Sequence, residues 1–136
     1  MMLTLFGQLA APLYALMRIA FGILFWCHGA QKLFGLFGGE RVELASRLGV
    51  AGVIEFFGGL AIALGLFTPV AGLFCTLLMA AAYLTVHAKQ AVLPIQNGGE
   101  PALLYMFAFL YIMAHGGGRW SLDAYIQGTS IARNRR

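Results

Sequence analysis

Charge is what this chain most lacks. Of its 136 residues only 10% are charged, nine of them basic and five acidic, where a water-soluble domain carries about 25%. With 60% of residues hydrophobic and a mean hydropathy of +0.80, the chain has too little polar surface to face water and reads as an integral membrane protein. Cysteine is also scarce. Cys27 and Cys75 lie far apart in apolar segments, with no C-x-x-C and no metal-ligand spacing. They therefore identify no redox compartment and no metal site, and they read as packing residues. No basic n-region precedes the first apolar run, since the first cation, Arg18, lies inside it. That argues against a signal peptide. It predicts a retained N-terminus, with residues 1–12 as a short interfacial lead-in and Pro12 in the first turn of a helix. The formal charge of +4 does not point to nucleic acid: the basic residues are scattered or sit in the tail at Arg133, Arg135 and Arg136. That tail reads as a solvated end or an anchor for anionic lipid headgroups.

What is present is long apolar runs and glycine. A span needs about 20 apolar residues, and the chain supplies runs over residues 12–34, 48–67 and 70–87. A fourth run, from Ala102 to Ala114, is short. It becomes a span over residues 100–115 if Glu100 and His115 sit at headgroup level. The charged interval GGERVELASR at residues 38–47 must lie outside the hydrocarbon, and it predicts a short helix lying in the interface. In the second span Gly52, Glu55, Gly59 and Ala63 recur at three- and four-residue spacing, a small-residue stripe that lets another helix approach closely. Pro94 and Asn97-Gly98-Gly99 mark a loop, Gly116-Gly117-Gly118 break the helix before them, and Trp120 and Tyr125 stand where interfacial aromatics belong. The expected fold is a single all-α domain: a four-transmembrane-helix up-down-up-down bundle, both termini on one side. The basic residues divide almost evenly between the two sides, with the cytoplasm favoured for the termini.

The first span carries the oddity that organises the rest. At about 100° per residue, Arg18, His28 and Lys32 fall within roughly 80° of arc, so one face of an apolar helix is polar. Ionisable residues within a membrane face a bundle interior or a wet cavity. Alternating topology brings His28 and Glu55 to the same depth, roughly 9–11 Å below one surface. Connections on that side add His87, Asn97 and Glu100, and Gln31 and Lys32 lie just above His28. Together these groups predict a mixed-charge cluster in one half of the bundle. His28 and Glu55 are the candidate catalytic residues. Gln31, Lys32, His87, Asn97 and Glu100 are candidate ligand contacts, and Arg18 is a structural polar residue that snorkels or meets Asp123. The chemistry stays open at this level. Glu55 and Lys32 also read as a structural pair, and a small anion, a proton path or a quinone headgroup would each suit the cluster.

Four stretches, RIAFGILFWCHGAQKLFG, EFFGGLAIALGLFTPVAG, NGGEPALLYMFAFLY and GGGRWSLD, resemble the DoxX family of small bacterial membrane proteins over about residues 15–125. The resemblance implies four transmembrane helices in the bacterial inner membrane. It also implies a loose association with oxidoreduction, since relatives include a subunit of thiosulfate–quinone oxidoreductase. Arg18, His28, Lys32, Glu55, Asn97 and Glu100 match the family's polar positions. The function expected on this basis is a membrane-embedded component of a redox system. It contacts a quinone or small redox substrate, has no covalent cofactor of its own, and works with a protein partner that carries the electron-transfer cofactor. A homo-oligomer is a further expectation. Rival readings are an assembly protein without catalytic activity and a transporter subunit for a small anion or metabolite.

Overall fold

The computed structural model describes the backbone of residues 2–134 and the side chains of residues 7–128; the side chains of Arg133, Arg135 and Arg136 lie outside that range. The described residues form helices and no strands: α1 (Met2–Phe34), α2 (Arg47–Leu64), α3 (Thr68–Ala82), which continues as a π-helical turn (Tyr83–His87), the single turn α4 (Pro94–Asn97), α5 (Glu100–His115) and α6 (Leu122–Asn134). Three helical stretches, Gly7–Phe34, Arg47–Leu64 and Thr68–His87, are long and apolar enough to cross a membrane, and α5 is a shorter apolar helix. Large apolar side chains such as Leu16, Leu24, Phe57, Phe74, Leu77 and Phe107 point outward. An outer surface of that kind suits lipid and not water.

Several boundaries differ from those expected. α1 runs from Met2, so Pro12 stands inside the helix and not in its first turn. Proline there leaves the Gln8 carbonyl without its intrahelical donor, at a point where Gln8, Leu9 and Ala10 are exposed. The interval 38–46 forms turns in place of a short interfacial helix. Its only cap is Ser46, whose hydroxyl accepts from the Gly49 N–H to start α2. At the other end α2 stops at Leu64 although the apolar run continues to Phe67. Gly65 takes the left-handed conformation there (φ 69°), and the Leu66 N–H returns to the Ala61 carbonyl; such a cap favours glycine. The tail forms a helix, α6, that hydropathy does not announce.

Packing follows from glycine. α1 lies along α2, and Gly22 and Gly29 meet its backbone so closely that a Cβ on Gly22 would strike Gly59 and Ala63, and one on Gly29 would strike Gly52 and Phe56. The small-residue stripe of α2 therefore faces α1, with Gly49, Gly52, Glu55, Gly59 and Ile62 buried. α3 packs on α5, where Gly72 admits the backbone of Met113. The two pairs join through Phe25, whose ring meets Phe109 at 4.7 Å and Tyr105 at 5.3 Å. Ile62, Cys75, Phe109 and Ile112 complete the core.

Candidate functional site

The Gly29–Gly52 contact sets the register of α1 against α2, and that register brings Lys32 to Glu55. The Lys32 stem lies over Gly52. Its Nζ donates to both carboxylate oxygens of Glu55, at 2.6 and 2.5 Å. Glu55 is buried, its side chain only 5% exposed, whereas that of Lys32 is 25% exposed. The pair is thus closed on the carboxylate side and open on the ammonium side. In a low-dielectric interior such an attraction is strong, and so is the cost of losing either partner.

Three further groups stand around the pair. His28 lies one turn before Lys32, is exposed, and falls within electrostatic reach of Glu55. Tyr105 of α5 and the His28 imidazole meet edge to face, their centroids 6.2 Å apart. Cys75 of α3 is fully buried and also feels Glu55. Both cysteines are unbridged thiols. Tyr105 and Cys75 do not figure among the sequence-derived candidates. Tyr105 follows Ala102 by three residues and precedes Phe109 by four, so the helical period that marks the buried stripe of α5 is the signal that would have found it.

The remaining candidates form separate arrangements. His87, at the end of the π-helical turn, donates through Nδ1 to the Asn97 carbonyl at 3.0 Å and stacks beside Tyr83. Asn97 is buried and organises its own loop, donating to the Ala91 carbonyl at 2.9 Å and accepting from the Gly99 N–H at 2.8 Å. Gln31 packs against Gly39. Glu100 is exposed and lines a groove of about 380 Å³ with Pro94, Leu103, Leu104 and Phe107. Among the described residues no hydrogen bond or ion pair joins His87, Asn97 or Glu100 to the Lys32–Glu55 pair. The described hydrogen bonds of the expected cluster thus fall into two sets, Lys32–Glu55 and His87–Asn97.

Arg18 serves a different end of the molecule. Fully buried, it donates to the Ile62 carbonyl, to the Ala63 carbonyl at 2.7 Å and to the Trp120 carbonyl at 2.7 Å. It thereby satisfies carbonyls that the end of α2 leaves without partners and ties the segment before α6 to the α1–α2 pair. Asp123 complements it. Its carboxylate accepts from the N–H groups of Phe67 (2.7 Å) and Thr68 (2.9 Å) and from the Thr68 hydroxyl (2.7 Å). Phe67 offers no side-chain cap to α3, so the cap comes from α6. Burial pushes the Asp123 carboxyl up, but the bonds from Thr68 and Phe67 and the charge of Arg18 outweigh it and hold the carboxyl below its ordinary value.

Comparison with known proteins finds the DoxX family model matching residues 13–88. An uncharacterized protein of Haemophilus influenzae strain Rd is 39% identical over 116 residues, spanning 80% of this chain and 87% of the relative. A Bacillus subtilis protein named "Putative oxidoreductase CatD" is 26% identical over 118 residues, spanning 82% of this chain and 84% of its own. No solved structure matches.

Proposed function

The chain belongs to the DoxX family, and on that premise we propose that it is the membrane-embedded component of a bacterial inner-membrane redox system, binding a quinone or small redox substrate at the Lys32–Glu55 pair. α5 is the fourth crossing in this reading. Its 16 residues rise about 24 Å, and Glu100 and His115 end it at headgroup level. The observation that carries the proposal is the asymmetry of the pair: a buried carboxylate whose ammonium partner is part-exposed, with an exposed His28 and the Tyr105 ring beside it. Reduction of a carbonyl acceptor requires protons as well as electrons. Lys32 and His28 supply donors to such an oxygen, and Glu55 offsets the charge that the ammonium brings into the bundle. Electrons come from a partner protein that holds the cofactor. The name of the Bacillus subtilis relative supports an oxidoreductase connection.

The test is purification in mild detergent without added ligand, followed by an absorbance spectrum and mass spectrometry of organic extracts. Quinone should co-purify with the wild type and be lost from folded Glu55→Gln and His28→Ala proteins. Absence of any bound molecule, with quinone-coupled activity in membranes unchanged in both variants, overturns the reading. A second reading, a buried pair that only holds the helices together, draws on the fact that Lys32 spends two hydrogen bonds on Glu55. It predicts variants of lower abundance with no activity specifically lost.

A further inference from the structure

The connection from α5 to α6 opens with three consecutive glycines, Gly116, Gly117 and Gly118. α5 ends at His115, whose ring lies 4.0 Å from that of Tyr14. The Tyr14 hydroxyl donates to the Gly116 carbonyl at 2.5 Å, pinning the loop to α1. Gly116 and Gly118 both have left-handed backbones (φ 78° and 72°), so side chains are excluded on conformational grounds. Among the described residues the N–H groups of Gly117, Gly118 and Arg119 meet no acceptor. Arg119 is exposed and, unlike Arg18, makes no hydrogen bond or ion pair there.

Two cavities flank this loop and share His115, Gly118 and Arg119. One, of about 360 Å³, has Ser121, Asp123 and Gln127 in its wall. The other, of about 330 Å³, is lined by Ala10, Ala11, Tyr14 and Tyr111 between α1 and α5. Their depth is set by α1: Tyr14 and Lys32 stand about 27 Å apart along the helix, close to the thickness of a hydrocarbon core. The loop therefore lies at the boundary opposite the Lys32–Glu55 pair, next in sequence to the exposed Trp120.

We infer that this loop seats the phosphate of an anionic phospholipid, with Arg119 and His115 on the phosphate oxygens, the glycerol headgroup beside Ser121, Asp123 and Gln127 and the lipid backbone against Ala10, Ala11 and Tyr111. An unpaired arginine beside free backbone N–H groups is a phosphate-binding arrangement, and Arg119 stands between Ser121, Asp123 and Gln127 on one side and Ala10, Ala11 and Tyr111 on the other. Asp123 is the one acid in the wall. Its carboxylate is already engaged by Phe67 and Thr68, with the charge of Arg18 behind it. It opposes a second phosphate and accepts hydroxyls, which favours a glycerol headgroup.

The seat is independent of the redox reading, and its test requires no activity. The full chain is delipidated in detergent, then titrated with phosphatidylglycerol, phosphatidylcholine or inorganic phosphate, with native mass spectrometry and thermal unfolding as readouts. One phosphatidylglycerol should bind and raise the midpoint, and phosphatidylcholine should bind about five- to tenfold more weakly. Arg119→Ala should weaken phosphatidylglycerol by about as much, Arg119→Lys by less, and Lys89→Ala at the other boundary not at all. Equal binding by Arg119→Ala, or by the two lipids, overturns the inference. Stabilisation by inorganic phosphate alone overturns the lipid assignment in favour of a soluble phosphate. Since Arg119 makes no hydrogen bond or ion pair among the described residues, loss of the fold does not confuse the result.

Discussion

Lys32 and Glu55 are paired where the dielectric is low, and the two members do not share the burden equally. Removing one partner of a buried pair costs about 3–5 kcal/mol, whereas replacing both by neutral groups of similar shape costs far less. Lys32 is a quarter exposed, so its loss falls toward the lower figure. Lys32→Met should therefore lower the unfolding midpoint in detergent markedly, and Lys32→Met with Glu55→Gln should recover most of it. A double variant as unstable as the single one means that packing, not charge, holds this position. His28 contributes nothing to this balance that a hydrogen bond would reveal. That is why its part in the site rests on chemistry rather than stability.

At the level of elements, junctions decide more than helix interiors do. The turn from α2 to α3 is held from outside: Arg18 of α1 takes the last carbonyls of α2, and Asp123 of α6 takes the first N–H groups of α3. The Asp123 carboxyl sits below its ordinary value when folded. The folded state thus binds fewer protons than the unfolded one in the acid range. The sign is then fixed: the stabilisation is complete above about pH 5 and is lost as pH falls below about 4. Unfolding midpoints measured across that range should fall with pH in the wild type and depend less on pH in Asp123→Asn. Asp123→Ala should in addition cost about 1 kcal/mol at neutral pH, the usual worth of a lost N-cap. A wild-type pH profile identical to that of Asp123→Asn would remove Asp123 from this role. The interiors were more legible than these junctions. The Gly52–Gly59 stripe reads directly from its spacing, and it meets Gly22 and Gly29 of α1 because only hydrogen at those positions lets two backbones touch.

Across the whole molecule, polar groups are gathered at both ends of an apolar bundle. Lys32 and Glu55 lie near one boundary, and Arg18, Asp123 and the glycine loop lie near the other. With α5 as the fourth crossing, the two termini share a side. Reporter fusions at the N- and C-terminus should then report the same compartment, the cytoplasm if the positive-inside rule governs, and a reporter placed at Lys89 the opposite one. Opposite compartments for the two termini would reduce the crossings to three. The helical class, the long spans and the glycine turns were all legible because each depends on local composition or on spacing along a single helix. Lys32, Glu55 and His28 lie on two helices in direct contact, but His87 and Asn97 belong to a loop whose place around the bundle no linear period encodes.

By itself, the sequence determined that this chain is apolar enough for a bilayer, that the second span carries a small-residue stripe for a close helix neighbour, and that Glu55 sits in that stripe. Hydropathy, helical period and the cost of a bare charge in hydrocarbon are properties of the residues alone. Tertiary structure decided which partner each polar group takes: Lys32 with Glu55, Arg18 with the carbonyls of α2, Asp123 with the start of α3, and Tyr105 beside His28. Among the described residues it gave Arg119 no hydrogen-bond or ion-pair partner. Those choices depend on distances between segments up to about a hundred residues apart, and only the packed bundle fixes them.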